Sequence, residues 1–99
     1  MKIRFSKIAQ LEYEEIINYL YDNFGKEKAT KFSDLLKQNL KQVKQFPESF
    51  SFFQNTDKRK FIVNPYITVI YNINKDLECI EILNFWFNRS NPEVLLQHL

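Results

Sequence analysis

A handful of side chains in the second half of the chain have types that can act on a phosphodiester or hold a polyanion. Lys58, Arg59 and Lys60 are consecutive at the start of an apolar run. Arg89 follows Phe85-Trp86-Phe87, within Asn88-Arg89-Ser90-Asn91-Pro92. Tyr66 and Tyr71 lie between these cations in sequence. Cationic groups at strand ends beside aromatic rings can grip a phosphate backbone and stack on bases. A lone arginine after a strand more often serves as a salt-bridge or capping partner, and that role stands beside the functional one for Arg89.

Other chemistries find no footing in the sequence. The one histidine, His98, is next to last, and the one cysteine, Cys79, lies in an apolar strand with no ligand spacing around it. No metal site and no Ser-His-Asp or Cys-His set is therefore expected. A single glycine cannot build a phosphate-binding or dinucleotide-binding loop, so no cofactor is expected either. Glu78 and Glu81 fall on opposite faces of a strand and do not form an acid–base pair.

With 99 residues the chain is expected to be a single domain over 1–99. Ten Phe, five Tyr and one Trp supply bulk that a short chain needs to build a core. That content excludes intrinsic disorder. No apolar run approaches the roughly 18–20 residues of a membrane span. The N-terminus lacks the apolar run of a signal peptide. A cytoplasmic protein with a reduced thiol is the expectation. Net charge is +2 but unevenly spread: residues 26–60 carry nine basic and four acidic groups, while 61–99 carry two and four. A solvated lysine face on a helix is the plain reading of this middle block. With only Arg4, Arg59 and Arg89 in the chain, nucleic-acid binding through general charge is expected to be modest.

The first half reads as helical. Ser6 is a good N-cap for a helix from about Lys7, and Ile8, Leu11, Ile16, Ile17, Leu20 and Phe24 recur near the helical period. Glu12, Glu14 and Glu15 come early, where the helix dipole favours negative charge. Gly25 suits a left-handed position at the helix end. A second helix from about Lys26 carries Ala29, Phe32, Leu36, Leu40 and Val43 as a buried stripe, and Pro47 stops it. Two such helices joined by one or two residues form an antiparallel hairpin.

The second half reads as strands over 58–64, 66–73 and 78–87, with a hairpin loop at Asn74-Lys75-Asp76. Residues 2–5 alternate and make a further strand. The expected fold is α+β in the order β-α-α-β-β-β, an antiparallel sheet with the helical hairpin on one face. Both faces of 66–73 are substantially apolar: Ile67, Val69, Tyr71 and Ile73 on one, Tyr66, Thr68 and Ile70 on the other. A sheet covered on one side alone should alternate apolar and polar. Either the C-terminal residues 94–99 or a partner chain must cover the second face.

Taken together, these residues resemble the RelE/ParE superfamily of bacterial type II toxins. The matching pieces are Ala9, Leu11, Ile16, Tyr19, Leu20 and Gly25 in and after the first helix, and Phe46-Pro47 after the second. They continue with Arg59-Lys60, the Val-Ile-Tyr-Asn-Ile stretch over 69–73, and the ending from Asn88 to Glu93. The resemblance spans essentially the whole chain and implies the fold derived above. It also implies a toxin neutralised by a cognate antitoxin in a hetero-oligomer, with Tyr66, Ile70, Phe85 and Phe87 as the expected antitoxin-binding residues.

The superfamily divides by target. RelE-like members cleave mRNA in the ribosome, and ParE-like members inhibit DNA gyrase. For a nuclease, the resemblance would assign catalysis to Arg59, Lys60 and Arg89. The third-strand arginine of that branch falls here on Thr68, and its C-terminal tyrosine falls near Leu95. Losing one electrostatic donor of this kind costs about 10²–10³ in rate. The incomplete set tips the expectation toward a ParE-like toxin that binds gyrase. A ribosome-dependent endonuclease and a degenerate antitoxin-binding module are the alternatives.

Overall fold

Local signals at Ser6 and Gly25 set the helical half. In the computed structural model, which describes residues 1–64 and 67–87 with the backbone alone of Phe87, strand β1 covers Lys2–Phe5 and helix α1 covers Lys7–Phe24. The Ser6 hydroxyl accepts from the Ala9 backbone N–H at 3.0 Å, as an N-cap should. Gly25 ends α1 and starts α2, Lys26–Gln45. Its N–H donates to the Tyr21 carbonyl, and its carbonyl accepts from Ala29. It takes a positive φ of 89° with ψ at 174°, an extended conformation open to glycine rather than the left-handed helical one expected.

The hairpin buries one stripe from each helix. On α2 it is Ala29, Phe32, Leu36 and Val43, with Leu40 beside them. On α1 it is Ala9, Ile16 and Leu20, flanked by Tyr13, Ile17 and Phe24. Ile8 and Leu11, expected in that stripe, are exposed. The spacing from Ala9 through Tyr13, Ile16, Leu20 and Phe24 defines a face, and Ile8 and Leu11 fall outside it. The three glutamates come too late for the first turn, which holds no acidic residue. Phe46, just past α2, is exposed as well.

The sheet holds β2 (Arg59–Asn64), β3 (Ile67–Asn74) and β4 (Cys79–Phe87), with β1 added at one edge, in the order β1-β4-β3-β2. The three consecutive strands form the expected antiparallel meander. β1 instead runs parallel to β4, pairing Lys2 with Cys79 and Phe5 with Ile82. Hairpin reasoning applies to neighbours in sequence, whereas β1 reaches its partner only after the helical crossover. Between β3 and β4 the register shifts at Ile70/Tyr71, so Leu83 is an extra residue on β4.

Cross-strand partners share a face. The helix-facing side carries Phe61, Val69, Phe85, Tyr71, Ile82, Ile80 and Ile67, all buried in the main core. Phe85 is 3% exposed and its ring lies 5.9 Å from Phe5 and 5.8 Å from Tyr13, centroid to centroid. No described helix is long and apolar enough to cross a membrane.

Candidate binding face and the sheet-end cations

Consecutive residues of a strand point to opposite faces, and this separates Arg59 from Lys60. Arg59 lies across from Tyr71, on the helix side, while Lys60 lies across from Ile70 on the other. The Arg59 guanidinium is engaged in structure. Its Nη1 donates to the Phe50 carbonyl at 2.6 Å, and its centre lies 4.1 Å over the Phe52 ring. Phe52 also bridges to Arg59 through the backbone. Beside it, the Tyr71 hydroxyl donates to the Pro47 carbonyl at 2.6 Å. Burial pushes the Tyr71 hydroxyl up to about 12, against an opposing pull from the Arg59 charge. Rings of Phe50, Phe61 and Tyr71 pack together at about 6 Å. Arg59 and Tyr71 thus strap the segment between α2 and β2 onto the sheet.

The face turned away from the helices is graded. Asn72, Glu81 and Lys58 form a polar row: Lys58 Nζ donates to Asn72 Oδ1 at 3.2 Å, and Asn72 Nδ2 donates to Glu81 Oε1 at 2.9 Å. Arg4 on β1 is in register with Glu81. Lys58 also pairs with Asp57 at 3.2 Å. The next row holds Lys60, Ile70 and Asn84. The row beyond is Ile62, Thr68 and Trp86, with Ile62 60% exposed and Trp86 58% exposed. Polarity therefore falls along the strands from a hydrogen-bonded network to an open apolar row.

A cleft of about 660 Å³ adjoins that row, lined by Glu12 and Glu15 of α1 and by Phe53, Ile70, Asn84 and Trp86, among others. Glu12 has a structural task there. Its Oε1 accepts from the Phe85 backbone N–H at 2.9 Å, where β4 has outrun its β1 neighbour, and from Asn84 Nδ2 at 3.5 Å.

The sequence-derived candidates are placed as follows. Arg59 and Lys60 do not converge. Ile70 is on the second face and 7% exposed. Phe85, expected at the antitoxin-binding surface, belongs to the core, and Trp86 supplies the exposed ring instead. The Leu83 bulge resets the alternation along β4 and explains the difference. Tyr66, Arg89 and the Phe87 side chain lie outside the described residues, as do residues 94–99. Ile62 went unnoticed, although alternation with its buried neighbour Phe61 carries the signal. Among the described residues no group of three or more His, Cys, Asp or Glu could hold a metal ion.

A family model described as ParE toxin of type II toxin-antitoxin system, parDE, matches residues 3–92. The chain belongs to the ParE toxin family. It is the toxin component of a type II toxin–antitoxin system. The ParE toxin fold is shared with solved structures of low sequence identity. The chromosomal ParDE system from Pseudomonas aeruginosa gives a TM-score of 0.72 at 16% identity, covering 88% of this chain and 95% of that one. The YoeB-YefM complex from Staphylococcus aureus gives 0.63 at 17% identity, covering 89% and 97%. The intact RelBE toxin-antitoxin complex from Escherichia coli gives 0.60 at 14% identity, covering 90% and 98%. A search of curated proteins found no match.

Proposed function

We propose that this toxin arrests growth by binding its target, with DNA gyrase as that target, rather than by cutting RNA. The observation that carries the reading is the engagement of Arg59. A nuclease of this superfamily needs convergent cations around a scissile phosphate. Here the Arg59 guanidinium is held by the Phe50 carbonyl and the Phe52 ring on the helix side, opposite to Lys60. Thr68 stands at the third-strand position where the nuclease branch has arginine. The ParE family match supports the gyrase target.

The cognate antitoxin, on this reading, covers the face that carries Ile62, Thr68, Ile70 and Trp86, with Tyr66 as a further contact, whereas Phe87 is in register with Ile67 of the other face. Exposed apolar rows of this kind mark protein interfaces, and aromatic anchors dominate their energetics. Phe85 contributes from beneath, as part of the core and the cleft wall.

Two assays on purified toxin test the target. Inhibition of gyrase supercoiling with intact mRNA in a translating extract is the expected pair of results. Cuts within codons on translating ribosomes, abolished in an Arg59→Ala/Arg89→Ala variant of unchanged fold, would overturn the reading in favour of the endonuclease. No growth arrest on expression without antitoxin would identify a degenerate binding module. For the antitoxin face, Trp86→Asp with Ile62→Asp should abolish co-purification with the antitoxin while the far-UV spectrum is unchanged. Antitoxin binding should also raise the melting temperature of the native toxin.

A further inference from the structure

Helix α2 concentrates the positive charge of the molecule. It carries six lysines against two carboxylates, Glu27 and Asp34, whereas the rest of the chain carries eight basic and ten acidic residues. Both carboxylates lie in its first half, and residues 35–45 contain none. Lys37, Lys41 and Lys44 follow one another at i, i+4 and i+7, which places them on one flank over about 10 Å of helix. All three are exposed, and the ion pairs of the described residues, Lys58–Asp57 and Lys75–Glu48, involve none of them. The helix dipole favours a cation in the last turn and so accounts for Lys44. It does not reach Lys37, about two turns earlier.

We propose that the Lys37–Lys41–Lys44 flank of α2 is a sequence-independent contact surface for the phosphate backbone of double-helical DNA. Three ammonium groups in a row, with no ion-pair partner among the described residues, match a polyanion of regular charge spacing. The helix has no arginine, and so no planar fork for bidentate base readout. Its only aromatic, Phe32, is fully buried, so no ring is available to stack on unpaired bases, which single-stranded nucleic acid would demand. The buried stripe of α2 packs on the sheet from the side opposite to the Ile62–Thr68–Trp86 row, so DNA and a protein partner on that row can be held together. The inference goes beyond the gyrase reading and does not depend on it.

Fluorescence anisotropy of a labelled 20-base-pair duplex with the full-length toxin alone, over a series of salt concentrations from about 50 mM, tests it. Wild type should bind with an affinity that falls steeply with salt. The K37Q/K41Q/K44Q variant should lower the slope of log K against log salt by about 2–3, near 0.9 for each phosphate that is no longer neutralised. A second variant, E27Q/D34Q, should bind more tightly than wild type. No duplex binding at 50 mM salt, or an unchanged slope in a triple variant whose circular dichroism is native, overturns the proposal. So does tighter binding to a single-stranded or RNA oligonucleotide of the same length. With no gyrase in the assay, its outcome is separate from that of the supercoiling test.

Discussion

Replacing Arg59 with alanine should remove two interactions at once and loosen the segment they hold. The 2.6 Å bond from the guanidinium to the Phe50 carbonyl has a charged donor, worth about 1.5–3 kcal/mol. The stacking over Phe52 adds roughly 0.5–1 kcal/mol at this half-exposed site. The combined loss of about 2–4 kcal/mol is a large share of the roughly 5–15 kcal/mol that stabilises a typical domain. For a chain of this length it should lower the melting temperature by roughly 10–20 °C. Lys60→Ala is the internal control, being next in sequence but on the other face, and should change stability by no more than about 0.5 kcal/mol. Thermal and urea unfolding of the two variants, followed by far-UV circular dichroism, make the comparison. Arg59→Lys should recover only part of the loss, because an ammonium lacks the planar fork. If Arg59→Ala melts within about 3 °C of Lys60→Ala, the arginine is not a strap. It would then be free for the catalytic duty that the nuclease reading assigns to it.

Three further outcomes rest on individual residues. The buried Tyr71 hydroxyl titrates near 12 in the folded chain, above its ordinary value of 10. Its contribution is therefore intact below pH 10 and lost as pH rises toward 12, by up to roughly 1.4 kcal/mol per pH unit. Tyr71→Phe should flatten this alkaline limb while costing about 1 kcal/mol at neutral pH, where the Pro47 carbonyl loses its donor. Glu12→Ala should destabilise by about 1–3 kcal/mol in urea unfolding, by leaving the Phe85 N–H without its acceptor. Gly25→Ala should cost about 1–3 kcal/mol despite open space around the site, because the cost is backbone strain at a φ of 89°. A calorimetric melting temperature equal to that of wild type would refute it.

The helix ends were legible because the signals are local: a serine cap, a lone glycine and a proline two residues beyond the last turn. The strand order along the chain was legible for the same reason. Ile8 and Leu11 were misplaced because their apolar type was read ahead of their angle: on a 3.6-residue period both fall well off the face that Ala9, Tyr13, Ile16, Leu20 and Phe24 share. The parallel partner of β1 is a contact across the whole chain and left no local trace. At the binding face, the doubly apolar character of β3 was visible, but the bulge at Leu83 hid which of Phe85 and Trp86 is exposed. Arg59 read as a free cation because its partners, Phe50 and Phe52, come from a segment without regular structure.

The edges of a sheet carry unpaired N–H and C=O groups that can template pairing with other chains. In this protein each described edge is blunted by a different device. β1 is four residues long and carries Lys2 and Arg4. Where β4 extends past β1, the Ser6 N–H and hydroxyl donate to the Ile82 and Leu83 carbonyls, and Glu12 takes the Phe85 N–H. Along the start of β2, Lys60 donates to the Ser51 carbonyl and Phe53 donates to the Lys58 carbonyl. A chain rich in β-prone aromatic sequence, with an apolar row open on its sheet, is thereby guarded against growing edge to edge into fibres. Glu12 and the strap at Arg59 are solubility devices as much as stabilising ones.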